Sequence, residues 1–326
     1  KYTVLTGNRP DPNSDDPQLP LQSDGFIGRG GSGIGGVDDG RLIGNLITDA
    51  PGRCPFGYGG AIVAGVGGNP SEFSNGSNMK VYGNFVRDHG CPQTDRFHHT
   101  TYFSLRNNDF KDIQPIEVAW NHLADNLGHY GLHFYDENIT SQQGQPCGEA
   151  IGTVRVHHNV VVNQRGASIN IGINCGNVLQ TDWAIYNNVL INAGAGPQLP
   201  ANHNDSPSAI ALRDLGLGGT VRIYNNTIQG WGDNGDPFNE QNNRLKGAIV
   251  VSGNGDNMQV VLVNNLFETE QDLPLLVNGY LGEVLLDNVA GIRNLWHWSG
   301  GSTAINQVSN FNTMTEQGDP LLNRNG

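Results

Sequence analysis

The stretch Val221-Arg222-Ile223-Tyr224-Asn225-Asn226-Thr227-Ile228 decides the fold of this chain. Up to Tyr224, apolar residues alternate with polar or aromatic ones, as expected for a β-strand with one buried face. An asparagine and further apolar residues follow, and the whole pattern returns along most of the sequence. The shared asparagine recurs at Asn45, Asn84, Asn121, Asn159, Asn188, Asn226, Asn265 and Asn288. Strand-rich units repeated at such intervals are typical of a solenoid.

A second alternating segment lies between consecutive copies of the first. It occurs at Phe103–Leu105, Leu132–Phe134, Ile169–Ile171, Ile210–Leu212, Ile249–Val251 and Leu275–Val277. Each repeat therefore contains at least two short strands, joined by turns rich in Gly and Asn. Asn tolerates positive φ in a turn, and Asn side chains stacked at the ~4.8 Å strand spacing can form a ladder of amide hydrogen bonds. We expect an internal ladder of Asn84, Asn121, Asn159, Asn188, Asn226 and Asn265.

This repeat resembles that of the right-handed parallel β-helix proteins, the broad group that includes pectate-lyase-like enzymes. The resemblance covers about residues 41–290 and rests on the repeat rather than on the motif of a specific family. It predicts an all-β, single-stranded, right-handed parallel β-helix of about eight coils, and parallel crossovers favour the same hand. We predict one domain over residues 1–326, with an N-terminal arm and cap at 1–40, coils at 41–290 and a C-terminal cap at 291–326.

Composition narrows the range of partners. The 326 residues include 18 Lys and Arg against 31 Asp and Glu, a net charge of −13, whereas a nucleic-acid binder is more often basic. A polyanionic sugar remains compatible with this charge, because its binding needs only a local basic cleft. No segment approaches the ~18 consecutive apolar residues of a membrane span. We therefore expect a polysaccharide partner, no nucleic acid and no membrane span.

The four cysteines predict an exported protein. Cys54 and Cys91 occupy equivalent loops of neighbouring repeats, and Cys147 and Cys175 each follow the second strand of consecutive repeats. This matching phase favours disulfides Cys54–Cys91 and Cys147–Cys175 among three connectivities, with four free thiols as the alternative. The chain begins with Lys1, and we expect a mature secreted or cell-surface form after removal of a leader.

The outward positions of the second strand supply candidate catalytic groups. β-Elimination on a uronate polysaccharide needs a group that neutralises the C6 carboxylate, a base that removes the C5 proton and an acid that protonates the leaving oxygen. The predicted catalytic residues are His133 and Tyr135 as base and acid, with Arg106 and Arg213 as neutralisers. The predicted substrate-binding residues are Asn170, Tyr102, Ser104, His99 and Tyr130. A solvated face of ordinary polar residues would show the same pattern.

Two other enzyme or binding hypotheses stay open. Asp136 and Asp214 end the second strands of alternate coils, ~9.6 Å apart, which is near the ~6.5–9.5 Å that an inverting glycoside hydrolase needs between its carboxylates. A stripe of Tyr82, His157, Tyr186 and Tyr224 could stack on sugars or simply stabilise the sheet. A structural or adhesive glycan-binding protein is the non-enzymatic alternative.

No cofactor is expected. Within the pairs His98-His99 and His157-His158, adjacent strand residues should face opposite sides, so neither pair predicts a chelating site. Loop Asp and Asn side chains could hold calcium, but no spaced Asp motif is present. The cysteines lack C-x-x-C spacing, which argues against zinc.

Overall fold

A computed structural model shows an all-β parallel solenoid with no helix among the residues that it describes. Those residues are 4–6, 34–36, 40–50, 59–64, 78–90, 98–104, 115–136, 153–173, 179–195, 208–215, 218–232, 247–253, 258–270, 275–278, 289–292, 294–298 and 315–317. The all-β parallel solenoid predicted from the repeat is confirmed.

The strands, numbered along the chain, form three parallel sheets. Sheet I contains β3 (Arg41–Ile43), β6 (Lys80–Tyr82), β9 (Ile116–Ala119), β12 (Val154–His157), β15 (Leu179–Tyr186), β18 (Gly218–Tyr224), β21 (Met258–Val263) and β24 (Val289–Ile292). Sheet II contains β1 (Val4–Thr6), β4 (Leu46–Ala50), β7 (Phe85–His89), β10 (His122–Ala124), β13 (Val160–Val162), β16 (Val189–Ala193), β19 (Thr227–Trp231), β22 (Leu266–Thr269), β25 (Asn294–Trp298) and β26 (Thr315–Gln317). Sheet III contains β2 (Ile34–Gly36), β5 (Gly59–Ala64), β8 (His98–Ser104), β11 (Leu132–Asp136), β14 (Ile169–Ile173), β17 (Ile210–Leu215), β20 (Ile249–Gly253) and β23 (Leu276–Asn278).

Each coil adds one strand to each sheet in turn, as β9, β10 and β11 do before β12 returns to sheet I. The sequence repeat therefore holds three strands, because the apolar residues after the asparagine form a strand of their own in sheet II. Inward side chains of equivalent strands lie opposite one another, as Val81, Val118 and Val156 do in sheet I. These side chains are buried and form one continuous hydrophobic core along the solenoid.

The corner between sheets I and II contains the predicted asparagine ladder, which is confirmed. Its members are Asn45, Asn84, Asn121, Asn159, Asn188, Asn226, Asn265 and Asn294. Each Nδ2 donates to the Oδ1 of the next member at 2.7–3.0 Å. The backbone N–H of each residue donates to the same oxygen at 2.9–3.1 Å. The ladder thus satisfies buried polar groups that would otherwise destabilise the corner.

The assignment of Asn288 to the last copy was wrong. Asn265 donates to Asn294, and the segment Val289–Ile292 is the strand that pairs with β21 in sheet I. The corner therefore comes after residue 292, and Asn288 itself lies outside the described residues.

Strand pairing also involves both ends of the chain. Val4–Thr6 pairs with β4, Ile34–Gly36 pairs with β5, and Thr315–Gln317 pairs with β25. The division into arm, coils and cap stays a prediction.

Candidate functional site

The outer face of sheet III brings several predicted site residues into register. Tyr102, His133 and Asn170 lie opposite one another on β8, β11 and β14. A second row contains Ser104, Tyr135, Gly172 and Arg213. Stacking of the coils therefore gathers residues that are distant in sequence, as expected.

The first of these rows is buried rather than open to solvent. His133 is 3% exposed and Asn170 is 0% exposed, and Ala211 and Val250 continue the row without exposure. Ala211 packs with Tyr130 and Ala167, which lie in the turns before β11 and β14. Strand alternation predicts which side chains point outward, but it carries no information on whether loops cover them. The row therefore forms a polar and aromatic layer inside the molecule.

Ring contacts continue this buried layer around His99. Its ring stacks on that of Tyr130 with centroids 5.3 Å apart, and lies 4.0 Å from the ring of His133. The half-buried Tyr135 stacks on His133 at 5.5 Å. Dense packing of this kind restricts access to the rings, and the catalytic and binding roles proposed for these residues stay predictions.

Other predicted residues cannot be placed as side chains. Arg106 and the cysteines Cys54, Cys91, Cys147 and Cys175 lie outside the described residues. Ser104, Arg213, Asp136 and Asp214 belong to described strands, but their side chains lie outside the description. Both disulfides and the hydrolase carboxylate pair therefore stay predictions.

The outer face of sheet I holds a second set of polar and aromatic residues. Its register confirms the predicted stripe, with Tyr82, Ala119, His157, Tyr186 and Tyr224 in one row. Tyr186 and Tyr224 stack with centroids 4.8 Å apart and planes within 1°. Because the rings of His157 and Tyr186 also stack, at 4.6 Å, much of each ring face is covered by a neighbour. This part of the stripe fits sheet stabilisation better than sugar stacking.

A row of charged residues runs beside the aromatic stripe. Its charged members are Arg41, Lys80, Glu117, Arg155 and Arg222, and Ala184 lies between the last two. The row carries four cationic side chains and one carboxylate, although the whole chain has a net charge of −13. Counted over the described side chains, the outer face of sheet I is therefore locally basic.

Glu117 is the centre of a hydrogen-bond network on this face. Its Oε2 accepts from Tyr82 Oη at 2.6 Å and from Lys80 Nζ at 3.0 Å. Its Oε1 lies 2.8 Å from Nε2 of His157. His157 Nδ1 lies 2.8 Å from Nδ1 of His158, whose Nε2 lies 3.2 Å from Nδ2 of Asn187. Side chains from three strands and two corners are thereby connected.

The network sets the protonation of its members. Burial alone would raise the pKa of Glu117, but the hydrogen bonds from Tyr82, His157 and Lys80 outweigh burial and hold the pKa at about 2. Burial lowers the pKa of His157, although the hydrogen bond and charge of Glu117 oppose this effect. Burial and the bond to Glu117 raise the pKa of Tyr82. At neutral pH the carboxyl is therefore ionised, while the His157 ring and the Tyr82 hydroxyl are neutral.

Trp120 lies at the corner beside this network with an unusual backbone. It has a φ of 56° and is 55% exposed, at a turn position where the neighbouring coils have Gly83 and His158. A bulky residue at positive φ is an outlier and costs about 1–3 kcal/mol. The indole stacks on His158 with centroids 5.7 Å apart, and a Cβ added at Gly83 would contact nothing within 4 Å. An exposed indole thus lies next to open space.

The pattern at this corner was the signal that the sequence interpretation missed. The residue before each ladder asparagine is Gly or Asn in most copies, as positive φ requires, but Trp120 and His158 occupy it in two consecutive coils. His157 and His158 were expected to face opposite sides, and this was wrong. His158 leaves the strand at a φ of 54°, which brings the two Nδ1 atoms to 2.8 Å. Glu117 was also missed.

In comparisons with known proteins, no protein family, curated protein or solved structure matches the chain. Within the described residues, no group of three or more His, Cys, Asp and Glu side chains is arranged to hold a metal ion. The same part of the chain contains no helix long and apolar enough to cross a membrane. The class that fold and surface define is an all-β parallel solenoid with a basic, partly aromatic outer face on sheet I.

Proposed function

We propose that this protein is a secreted, right-handed parallel β-helix of about eight coils that acts on a uronate-containing polysaccharide by β-elimination. In this proposal the polymer lies along the outer face of sheet I. The observation that carries it is the combination, on one face, of a row of cations, a hydrogen-bonded imidazole pair and an exposed indole.

The charge row supports binding of an acidic polymer. Arg41, Lys80, Arg155 and Arg222 lie on separate strands, and adjacent strands are ~4.8 Å apart. A chain of uronates laid along the solenoid would therefore meet a cation from several coils. The accessible indole of Trp120 offers an apolar face to the C–H groups of a sugar ring, because an aromatic side chain combines apolar area with a rigid shape.

The same face contains the chemical groups that elimination needs. Arg155 lies two residues before His157 on β12, so both project from the outer side of sheet I. An arginine there can neutralise a C6 carboxylate and so make the C5 proton more acidic. His158, exposed at the corner, is within the same surface and can accept that proton.

Hydrolysis is less well supported on this face. An inverting hydrolase needs one protonated and one ionised carboxyl group. Among the described side chains of sheet I's outer face, Glu117 is the one carboxylate, and a pKa of about 2 keeps it ionised. Binding without cleavage is the second candidate, since the cation row and the exposed Trp120 can hold an acidic polymer without any chemical step.

Incubation with a panel of uronate polymers, such as polygalacturonate, alginate and a glucuronan, tests the proposal. Ultraviolet absorbance from an unsaturated uronate product supports elimination. New reducing ends without that absorbance would indicate a hydrolase, and binding without either product would indicate an adhesive protein.

Arg155→Ala sharpens the test on a polymer that the parent cleaves. We expect kcat/KM to fall by a factor that corresponds to about 2.7–4 kcal/mol, as for loss of one charge-stabilising donor. Arg87→Ala is the matched control, since Arg87 is an exposed arginine on sheet II. Equal activity of both variants would place the site elsewhere.

A further inference from the structure

We infer that Glu117, His157 and His158 form a directional hydrogen-bond relay in which His158 Nε2 is the general base of the outer face of sheet I. Glu117 and His157 are positioning residues that act through His158. This inference rests on the proposed function for its substrate, but the relay has a signature that can be measured without one.

The direction of the relay follows from the donors and acceptors. An ionised carboxylate only accepts hydrogen bonds, so His157 must donate from Nε2 to Glu117 Oε1 over 2.8 Å. A neutral imidazole has one N–H, so His157 Nδ1 is then an acceptor. His158 must therefore donate from Nδ1 to His157 Nδ1, also over 2.8 Å. The lone pair of His158 consequently lies on Nε2.

The contact beyond the histidines agrees with this tautomer. Nδ2 of Asn187 lies 3.2 Å from His158 Nε2, and an amide N–H can only donate. This bond is long and exposed, so a substrate C–H could replace it at the lone pair. The chain of bonds thus leads from a half-buried carboxylate outward to a basic nitrogen at the surface.

The hydrogen bonds of the relay connect His158 to a carboxylate. When Nε2 of His158 takes a proton, the positive charge is shared through Nδ1 with His157 and stabilised by the Glu117 carboxylate. Lys80 and Tyr82 hold the other oxygen of Glu117, while Arg155 and Tyr186 flank His157 on sheet I. A proton taken up at His158 is therefore held in a hydrogen-bonded network that ends on a carboxylate.

The reaction balances with this single base. His158 Nε2 takes the proton from C5, and the electron pair of that C–H bond forms the C4–C5 double bond. The C4–O bond breaks, and its electron pair leaves on the glycosidic oxygen. That oxygen takes the proton back from His158, which regenerates the neutral ring. The indole of Trp120 stacks on the His158 ring with centroids 5.7 Å apart, so a sugar ring that contacts the edge of this corner lies beside both side chains.

Nitrogen-15 NMR of the histidine side chains tests the relay in the full chain without substrate. We expect His157 to carry its proton on Nε2 and His158 to carry its proton on Nδ1 at neutral pH. In Glu117→Gln the fixed pattern should be lost, because an amide can donate as well as accept. Finding the His158 proton on Nε2 in the parent would overturn the inference.

Kinetics on a cleaved uronate polymer test the base itself. His158→Gln should lower kcat by about 10²–10⁴-fold while the polymer still binds, since a base is removed and the cations remain. Glu117→Gln should lower kcat by at least about 10-fold with a smaller change in KM. Asn225→Gly, at the equivalent corner of a later coil, should keep full activity and the same circular dichroism spectrum.

The outcomes separate the two proposals. If His158→Gln keeps full turnover on a polymer that the parent cleaves, the relay is not catalytic and the inference fails. If the parent shows the expected tautomers but releases unsaturated product from none of the polymers, the relay exists as a structure, and β-elimination as the function is overturned along with the base role.

Discussion

The outer faces of sheet I and sheet III contain similar residue types but differ in how they meet solvent. On sheet III, His133 and Asn170 are buried, and the row continues through the buried Ala211 and Val250. On sheet I, the tyrosines of the equivalent stripe are half-buried and His157 is buried, but the adjoining corner is exposed at Trp120 and His158. Histidines and tyrosines on an outward row are therefore a poor guide to a site unless the covering of that row is known.

A charge introduced on each face gives the strongest test of this difference in solvent exposure. Ala211→Asp puts a carboxylate into the buried row of sheet III. This change should destabilise the fold by about 3–5 kcal/mol, because the new charge is buried without an ion-pair partner. Arg222→Glu changes the charge of an exposed position on sheet I and should alter stability by no more than about 0.5 kcal/mol. Urea unfolding measures both.

A loss below about 1 kcal/mol for Ala211→Asp would mean that the outer face of sheet III is open to water. The site predicted around His133 would then again be the favoured binding surface.

Buried and exposed histidines should also differ in how they make the stability of the fold depend on pH. His89, which ends β7, is fully buried with its Nε2 2.7 Å from Nε2 of His98, and burial lowers the pKa of His89 from 6.5 to about 4. The unfolded chain then binds the proton first as pH falls, so stability present above pH 6.5 is lost towards pH 4. The expected loss is about 3 kcal/mol by pH 4.

His89→Gln should remove this part of the pH dependence, whereas His158→Gln at the exposed corner of sheet I should leave it in place. Denaturant midpoints of the parent and both variants between pH 7 and pH 4 provide the measurement. Identical pH dependence in the parent and His89→Gln would contradict the burial of a neutral His89.

The smallest expected effect separates function from stability on sheet I. Trp120→Gly relieves a positive φ but also removes the packing of the indole on His158, so the net gain in stability should be about 1 kcal/mol or less. The same change removes the indole from the proposed polymer surface and should weaken binding of a uronate oligomer by about 10-fold, close to 1.4 kcal/mol. Calorimetry of folding and of binding gives the two values.

Trp231→Ala is the matched comparison, since Trp231 is buried at the end of β19. That change should destabilise the fold by about 3–5 kcal/mol and affect binding little at temperatures where the variant remains folded. A Trp120→Gly variant that binds as well as the parent would remove the indole from the proposed site.

Features that depend on a few neighbouring residues were predictable from the sequence alone. Alternation of apolar residues and an asparagine at each corner depend on strand period and turn conformation, both of which are encoded within a few residues. The parallel solenoid and the ladder from Asn84 to Asn265 were predictable on that basis. The ladder's end was not, because Asn288 and Asn294 both follow plausible strands and only pairing with β21 chooses between them.

Tertiary structure decided the rest, because coverage and contact between coils depend on residues far apart in the chain. Glu117 and His157 are 40 residues apart and meet because β9 and β12 are neighbours in sheet I. His158 joins them because a corner at a φ of 54° turns its ring to the same side as that of His157. The alternation rule assumes an extended strand, and it ceases to apply at the residue where this strand ends.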